Sequence, residues 1–250
     1  MLLVGAVLYG LYIGSEINYL LFHSVIEVTT IIIGFCVFIL AWNLQRISRN
    51  NYLIFLGIAF FSFSALDLVH TFTYKGIEII PGYDTNLPTQ LWIAARYLQS
   101  ISFLIAPIYL HRKLKINFVL AVYLLVMVLL LASIFSSIFP VCYIEGSGLT
   151  PFKIISEYVI SSIFVGSIFT LRHKRDHFDI RIYRWLVTSI ILSILSELEF
   201  TTYISVYGFA SFAGHILKLF AFFFIYKAII AFSIYHLDAR TNKAKLYLQD

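Results

Sequence analysis

The apolar residues of this chain come in runs of roughly 20, the length that an α-helix needs to cross about 30 Å of hydrocarbon. Of the 250 residues, 60% are hydrophobic and only 12% are charged. A soluble domain usually carries about 25% charged residues. The pattern therefore predicts an all-α fold, a polytopic bundle of transmembrane helices.

Seven long apolar segments predict seven spans, and a shorter segment at the N-terminus predicts an eighth. The short segment, Leu2–Ile13, has no basic region before it and no small-residue cleavage site, so it does not read as a signal peptide. We expect eight spans, or seven if this segment does not cross. The long segments cover residues 19–42, 52–73, 89–110, 117–139, 152–171, 184–206 and 211–235.

Charge alternates between successive connections. The loops on one side carry Glu16, Glu78, Asp84 and Glu145 with almost no cations besides Lys75. The connections on the other side carry Arg46 and Arg49, then His111, Arg112, Lys113 and Lys115, then Arg172, Lys174, Arg175, Arg181 and Arg184, and finally Arg240, Lys243 and Lys245. Lys and Arg are retained in the cytoplasm during insertion, so the basic loops and the C-terminus are expected there. This location in the cell (cytoplasmic) membrane accounts for the net charge of +5 without a nucleic-acid partner.

The last stretch of the chain, residues 237–250, is polar yet contains no helix breaker. Its apolar residues Leu237, Leu246 and Leu248 are spaced among charged ones. One interpretation is a frayed tail, and the other is a helix that leads into a cytoplasmic domain. The second gives a transmembrane domain over residues 1–236 and the start of a cytoplasmic connector helix over residues 237–250.

Ionisable and amide side chains recur at one depth of the predicted bundle. A charged group at the bilayer centre costs roughly 2.5–3.5 kcal/mol on insertion scales, so such residues normally face the interior and mark function. At a rise of 1.5 Å per residue, nearly all of these lie about 5–14 Å below the outer surface. The set comprises His23, Glu27, Asp67, His70, Arg96, Gln99, Glu157, Glu197, His215 and Lys218. Glu197 is preferred to Glu199, which lies two residues on and closer to the interface.

The spacing of these residues places several of them on shared helix faces. His23 and Glu27 are four apart, and Asp67 and His70 are three apart, as are His215 and Lys218. Three imidazoles with nearby carboxylates predict a transition-metal site in which His23, His70 and His215 are the ligands. A haem held between two histidines is an alternative. A third interpretation is an ion-pair network that only fixes helix packing. The identity of any metal stays open.

Three short stretches resemble the MASE family of bacterial and archaeal membrane-associated sensor domains, in particular its third class. They are His23-Ser-Val-Ile-Glu27, Ala65-Leu-Asp67-Leu-Val-His70-Thr71-Phe72 and Leu91-Trp-Ile-Ala-Ala-Arg96. In that family the membrane module lies N-terminal to histidine kinase, PAS or diguanylate cyclase domains. The resemblance therefore implies a sensory input role in signal transduction, including two-component systems, with a cytoplasmic output partner. It does not name the ligand.

The sequence is compatible with two functions. The favoured one is a non-catalytic sensory domain, expected to be a homodimer, that binds a metal, haem or small ligand in the polar pocket. Glu27, Asp67, Arg96, Gln99, Glu157, Glu197 and Lys218 would line that pocket. The alternative is an intramembrane zinc-dependent hydrolase acting on a lipid-like substrate. Against it, the HxxxH pair of ceramidase-type enzymes is absent, since His215 is followed four residues later by Leu219.

Overall fold

The computed structural model describes residues 2–45, 50–77, 79–202 and 208–247, with side chains for residues 5–45, 50–77, 79–201 and 208–232. Within these ranges the chain forms eight α-helices and one two-stranded antiparallel hairpin. The helices are α1 (Leu2–Ile17), α2 (Tyr19–Leu44), α3 (Asn51–Thr73), α4 (Asn86–Ile105), α5 (Ile116–Phe135), α6 (Pro151–His173), α7 (Ile180–Thr202) and α8 (Phe209–Tyr247). Strands β1 (Tyr143–Ile144) and β2 (Gly148–Leu149) connect α5 to α6.

The helix starts follow local capping signals that are visible in the sequence. Asn18 Oδ1 accepts a hydrogen bond from Leu21 N at 2.9 Å, and Thr150 Oγ1 accepts one from Lys153 N at 3.3 Å. Such caps satisfy backbone N–H groups that have no partner inside the helix. The spans predicted to begin at residues 19, 52 and 152 accordingly begin within one residue of those positions.

Six of the described helices are long and apolar enough to cross a membrane. They are α2, α3, α4 with the 3-10 turn that follows it, α5, α6 and the Phe209–Phe232 part of α8. Neither α1, with 16 residues, nor α7, with 23, is among them. The prediction of an all-α polytopic membrane fold is thus confirmed, whereas the count of eight spans and the side of the C-terminus stay predictions.

Helix α3 lies at the centre of the bundle and α5 lies at its edge. Nearly the whole length of α3 is buried, with Phe60, Phe63 and Leu66 fully enclosed. Only Val119, Tyr123 and Ile134 of α5 are buried, and its other faces are apolar and exposed. Exposed apolar side chains on a polytopic fold are surfaces suited to lipid tails, and α5 is the least buried of the six candidate spans.

Small residues bring α2 and α3 into close contact. A Cβ atom on Gly57 would collide with the Cβ of Ala41, and one on Gly34 would collide with Ser64 Oγ. Without these side chains the two backbones approach closely, which is the usual basis of helix association in membranes. This approach places the polar side chains of α2 beside those of α3.

The β1–β2 hairpin covers one end of the bundle, which we call the hairpin end. Asn86 Oδ1 accepts hydrogen bonds from the backbone N–H groups of Cys142 and Tyr143 at 2.7 and 3.1 Å. Gln90 Nε2 donates to the carbonyl oxygens of Phe139 and Pro140 at 2.9 and 3.0 Å. The loop between α5 and α6 is therefore tied to the first turns of α4, directly beside the polar site.

Candidate functional site

The ten side chains singled out by their depth all lie inside the bundle near the hairpin end, and each is at most 5% exposed. Six helices contribute them: α2 carries His23 and Glu27, α3 carries Asp67 and His70, α4 carries Arg96 and Gln99, α6 carries Glu157, α7 carries Glu197, and α8 carries His215 and Lys218. The structure thus brings the predicted set together in one region.

Four buried charges at the centre of this region form one chain of ion pairs. Lys218 Nζ on α8 donates to both carboxylate oxygens of Glu27 at 2.9 and 2.7 Å and lies 3.1 Å from Asp67 Oδ2. Arg96 Nη2 donates to both oxygens of Asp67 at 2.7 and 2.6 Å, and Arg96 Nη1 donates to Gln99 Oε1 at 2.5 Å. Two cations balance two carboxylates, so this network is neutral and links α2, α3, α4 and α8.

Backbone carbonyls orient two of the three imidazoles. His70 Nδ1 lies 2.7 Å from the carbonyl oxygen of Pro88, and His215 Nδ1 lies 2.7 Å from that of Ser211. A carbonyl oxygen can only accept, so each Nδ1 carries the hydrogen, and in the neutral form of either ring Nε2 presents its lone pair. Histidines that bind metals are usually oriented by a second hydrogen bond of this kind. The Nε2 atom of His70 has no hydrogen-bond partner among the described residues.

The third imidazole, His23, is buried with neither ring nitrogen hydrogen-bonded within the described part of the chain. Its ring stacks on Tyr74 at a centroid distance of 3.8 Å. The ring centroids of His215 and His70 lie 4.8 and 5.7 Å from that of His23. The three imidazole rings therefore lie next to one another, with the ring of His23 between the other two in these distances.

One set of side chains is close enough to share a metal ion. One ligand atom from each of His23, Glu27 and His215 can be chosen so that all lie within 4.8 Å of one another. Metal–nitrogen and metal–oxygen bonds to zinc are about 2.0–2.2 Å long, so small inward movements would complete such a site. The sequence predicts His23, His70 and His215 as the ligands, and the ligand atoms that lie within 4.8 Å of one another come from His23, Glu27 and His215.

A cavity of about 60 Å³ adjoins the three imidazoles. Trp92 and Phe200 form apolar parts of its wall, and Lys153 and Ser211 form polar parts. A single water needs roughly 10–15 Å³ of such space, so there is room for an ion with a few waters. Pockets for organic ligands are larger, at about 300–1,000 Å³.

An exposed clasp borders this cavity on the side of the hairpin. Glu145 Oε1, in the turn between β1 and β2, accepts hydrogen bonds from Thr85 Oγ1 at 2.7 Å and from Lys75 Nζ at 3.0 Å. Both hydrogen bonds lower the pKa of Glu145 below its usual value, and the bond from Thr85 has the larger effect. Because Thr85 and Lys75 also line the cavity, the clasp connects the hairpin to the rim of the site.

Sequence reasoning missed Lys153, which belongs to a second buried group. Its Nζ lies 2.9 Å from Glu157 Oε1 and donates to the carbonyl oxygen of Phe200 at 2.5 Å. Glu197 on α7 lies beside Glu157. The signal was present in the sequence, since a Lys and a Glu four residues apart share a helix face.

Trp92 was also missed as a member of the site. The Arg96 guanidinium carbon lies 4.8 Å from the centroid of its ring, and Lys218 Nζ lies 4.7 Å from it. Cations within about 6 Å of an indole face are attracted by its π system. The spacing of four residues between Trp92 and Arg96 was a usable signal, because it puts both on one face of α4.

The helices and the buried network define a polytopic membrane protein with an internal polar site. A family model described as MASE3, a membrane-associated sensor domain, matches residues 15–236, which is most of the chain. The chain therefore belongs to this family, and the resemblance seen in the sequence is confirmed. Comparisons with curated proteins and with solved structures gave no match.

Proposed function

We propose that this domain is a sensory input module whose signal is a first-row transition-metal ion bound between His23, Glu27 and His215. The observation that carries the proposal is the state of His23, whose two ring nitrogens are buried without a hydrogen bond among the described residues. A buried polar atom left unsatisfied costs about 1–3 kcal/mol. A metal ion would satisfy the Nε2 or Nδ1 atom that faces the other ligands.

The alternative function, in which the polar site only fixes helix packing, accounts for the ion-pair network but not for the three imidazoles. The chain of ion pairs from Glu27 through Lys218 and Asp67 to Arg96 is neutral by itself, and among the described residues Arg96 Nε is its one side-chain nitrogen or oxygen atom without a hydrogen-bond partner. The imidazoles are different, because both ring nitrogens of His23 and the Nε2 atom of His70 have no hydrogen-bond partner among the described residues. Ligand binding gives them a role that packing does not.

The size of the cavity favours an ion over the larger ligands. A porphyrin or a typical organic ligand needs several hundred cubic ångströms, well above the 60 Å³ beside the imidazoles. Imidazole nitrogens with one carboxylate suit Zn²⁺, Fe²⁺, Ni²⁺ or Cu²⁺, and geometry alone does not choose among them. Haem is therefore disfavoured, and the metal is proposed as a class.

A hydrolase remains the second candidate, because two histidines with one glutamate also form the ligand set of some catalytic zinc sites. A lipid-like substrate would need a larger space next to that site than the cavity provides. The carboxylates that could act as a general base, Glu27 and Asp67, are already held by Lys218 and Arg96. Sensing is the better supported of the two.

The route from the site to an output runs along α8. His215 and Lys218 lie in its first turns, and the helix continues without a break to Tyr247, about 58 Å from its start. We place the sensor domain at residues 1–236 and the start of a cytoplasmic connector helix at residues 237–250, in a homodimer in the cytoplasmic membrane. A histidine kinase or cyclase as the output partner agrees with the family.

The test is metal binding by the purified chain in lipid nanodiscs. Titration with Co²⁺ and Zn²⁺, followed by the visible spectrum of Co²⁺ and by elemental analysis, should give one ion per chain. His23→Ala and His215→Ala should each weaken binding by about 10- to 100-fold or more, because each removes one ligand. His173→Ala changes an exposed histidine at the opposite end of the bundle and serves as the matched control.

Two results would count against the proposal. If the parent binds no metal, or if the two ligand variants bind as tightly as His173→Ala, the imidazoles do not form a metal site. If the zinc-loaded chain instead releases fatty acid from a lipid amide, the hydrolase replaces the sensor. For a sensor, a fusion to a kinase or cyclase should change its output with metal in the parent and not in His23→Ala.

A further inference from the structure

The position of Lys218 suggests how the site would act on α8. Its ammonium group lies between two carboxylates on different helices, 2.7 Å from Glu27 Oε2 on α2 and 3.1 Å from Asp67 Oδ2 on α3. Its side chain is only 2% exposed, so water does not screen these contacts. A single cation on α8 thus joins that helix to both α2 and α3.

The proposed metal ligands overlap with this ion pair. Glu27 accepts hydrogen bonds from Lys218 at both of its oxygens, while its Oε1 is also 3.5 Å from His215 Nε2. A divalent ion bound by Glu27 would stand close to the ammonium group inside the bundle, where charges repel more strongly than in water. The network is neutral without the metal, so the added charge favours departure of the lysine from Glu27.

We propose that Lys218 is an internal competitor of the metal ion and that its displacement from Glu27 to Asp67 is the switch of the sensor. This inference rests on the proposed function. Without metal, Lys218 holds α8 against α2. With metal, Glu27 binds the ion, and Lys218 keeps only its contact with Asp67, which Arg96 also neutralises.

The order of His215 and Lys218 along α8 explains how the displacement of Lys218 from Glu27 would move the helix. His215 and Lys218 are three residues apart, so they lie on the same face of the helix about one turn apart. The ion would draw His215 toward His23 and Glu27 on α2 while it drives Lys218 toward α3. Opposite displacements at two successive turns rotate or tilt the helix, and rigid helices pass such movements to their far ends.

Competition and coupling are reciprocal, so removal of the competing cation must strengthen metal binding. Lys218→Met in the full chain is expected to bind Co²⁺ and Zn²⁺ about tenfold more tightly than the parent. Lys218→Arg keeps a cation with more donors and should bind both ions no more tightly than the parent. Lys227→Met removes another lysine of α8, which packs on the Trp185 ring at 4.8 Å, and should leave the affinity unchanged.

The movement is measured by the distance between spin labels on exposed positions of α2 and α8, at Ile39→Cys and Phe223→Cys. The background replaces the two native cysteines by Cys36→Ala and Cys142→Ser. Metal should change this distance in the parent. Lys218→Met without metal should already show the metal-bound distance.

The outcomes separate the switch from the site. A parent that binds no metal removes the proposed function and the switch together. A parent that binds metal, with Lys218→Met showing the same affinity and the same metal-dependent distance change, overturns the switch and leaves the metal site. If Lys218→Met does not insert into the membrane, Lys218→Arg provides the test. Tighter metal binding by Lys218→Arg than by the parent would overturn the proposal that Lys218 competes with the metal ion for Glu27.

Discussion

A charged residue inside the membrane is retained here because its charge and its two terminal guanidinium nitrogens meet partners, although its Nε has none among the described residues. The Arg96 side chain is 1% exposed and spans from Gln99 on its own helix to the carboxylate of Asp67 on α3. The planar guanidinium suits this two-pronged contact, which a lysine cannot reproduce. The cost of burying the charge is thereby offset by the opposite charge and by the face of Trp92.

At the residue scale we predict that Arg96→Leu destabilises the protein strongly. The substitution leaves Asp67 with only Lys218 beside it, and breaking a buried ion pair costs about 3–5 kcal/mol. Arg112→Leu alters an exposed side chain and should change stability by less than about 0.5 kcal/mol. Thermal unfolding of the chain in detergent compares the two. Equal melting temperatures would mean that the ion pair contributes nothing to the fold.

At the scale of elements, the contact between α2 and α3 decides which polar groups meet. These helices touch through Gly34 and Gly57, where any side chain would collide with the neighbouring helix. Farther along the same pair of helices, Glu27 of α2 and Asp67 of α3 come to share one lysine. A substitution that changes the distance between α2 and α3 would therefore alter the geometry of the site, even though no residue of the site is replaced.

We predict that Gly57→Ala destabilises the bundle, against the usual trend for glycine in a helix. Alanine normally stabilises a helix by about 1 kcal/mol relative to glycine. At Gly57 the added methyl collides with Ala41, and overpacking costs about 1–3 kcal/mol. Gly10→Ala in α1 places the new carbon with no atom of another helix within 4 Å among the described residues, so it should be neutral or stabilising. The sign of the two changes in unfolding free energy is the test.

If both substitutions raise the melting temperature, the close approach of α2 and α3 is not needed for stability. If Gly57→Ala lowers it as expected, its metal affinity is worth measuring as well. A wider gap between α2 and α3 would loosen the shared position of Lys218, so the affinity should shift even though no ligand is altered.

At the scale of the whole molecule, charge is divided between the two ends of the bundle. The hairpin end carries the exposed Glu145 and Lys75, which pair with each other. The opposite end carries Arg112, Lys113 and Lys115 after α4, Arg172 in the last turn of α6, and Lys174 and Arg175 after that helix. The excess of cations at this second end predicts that it faces the cytoplasm.

This orientation can be tested with single cysteines in a chain that lacks the two native ones. Ser147→Cys lies in the exposed turn of the hairpin, and Lys113→Cys lies in the exposed basic loop after α4. A maleimide that cannot cross membranes should label Ser147→Cys in intact cells. It should label Lys113→Cys only after the membrane is opened. The reverse pattern would place the pocket on the cytoplasmic side and overturn the predicted topology.

The sequence by itself determined the positions of the helices and the depth of the polar side chains. A run of apolar residues long enough to span a bilayer is a local property, and caps such as Asn18 and Thr150 are local as well. Since helix rise per residue is constant, the depth of His23, His70 and His215 follows from their distance to the helix ends. The family followed from short stretches on three of these helices.

Only the tertiary structure decided which of these groups touch. Rotation of each helix about its axis, and the choice of its neighbours, depend on contacts between residues far apart in the chain. For that reason the sequence did not show that Lys218 bonds to Glu27, 191 residues away, or that Lys153 reaches the end of α7. For the same reason it did not show that ligand atoms of His23, Glu27 and His215 lie within 4.8 Å of one another.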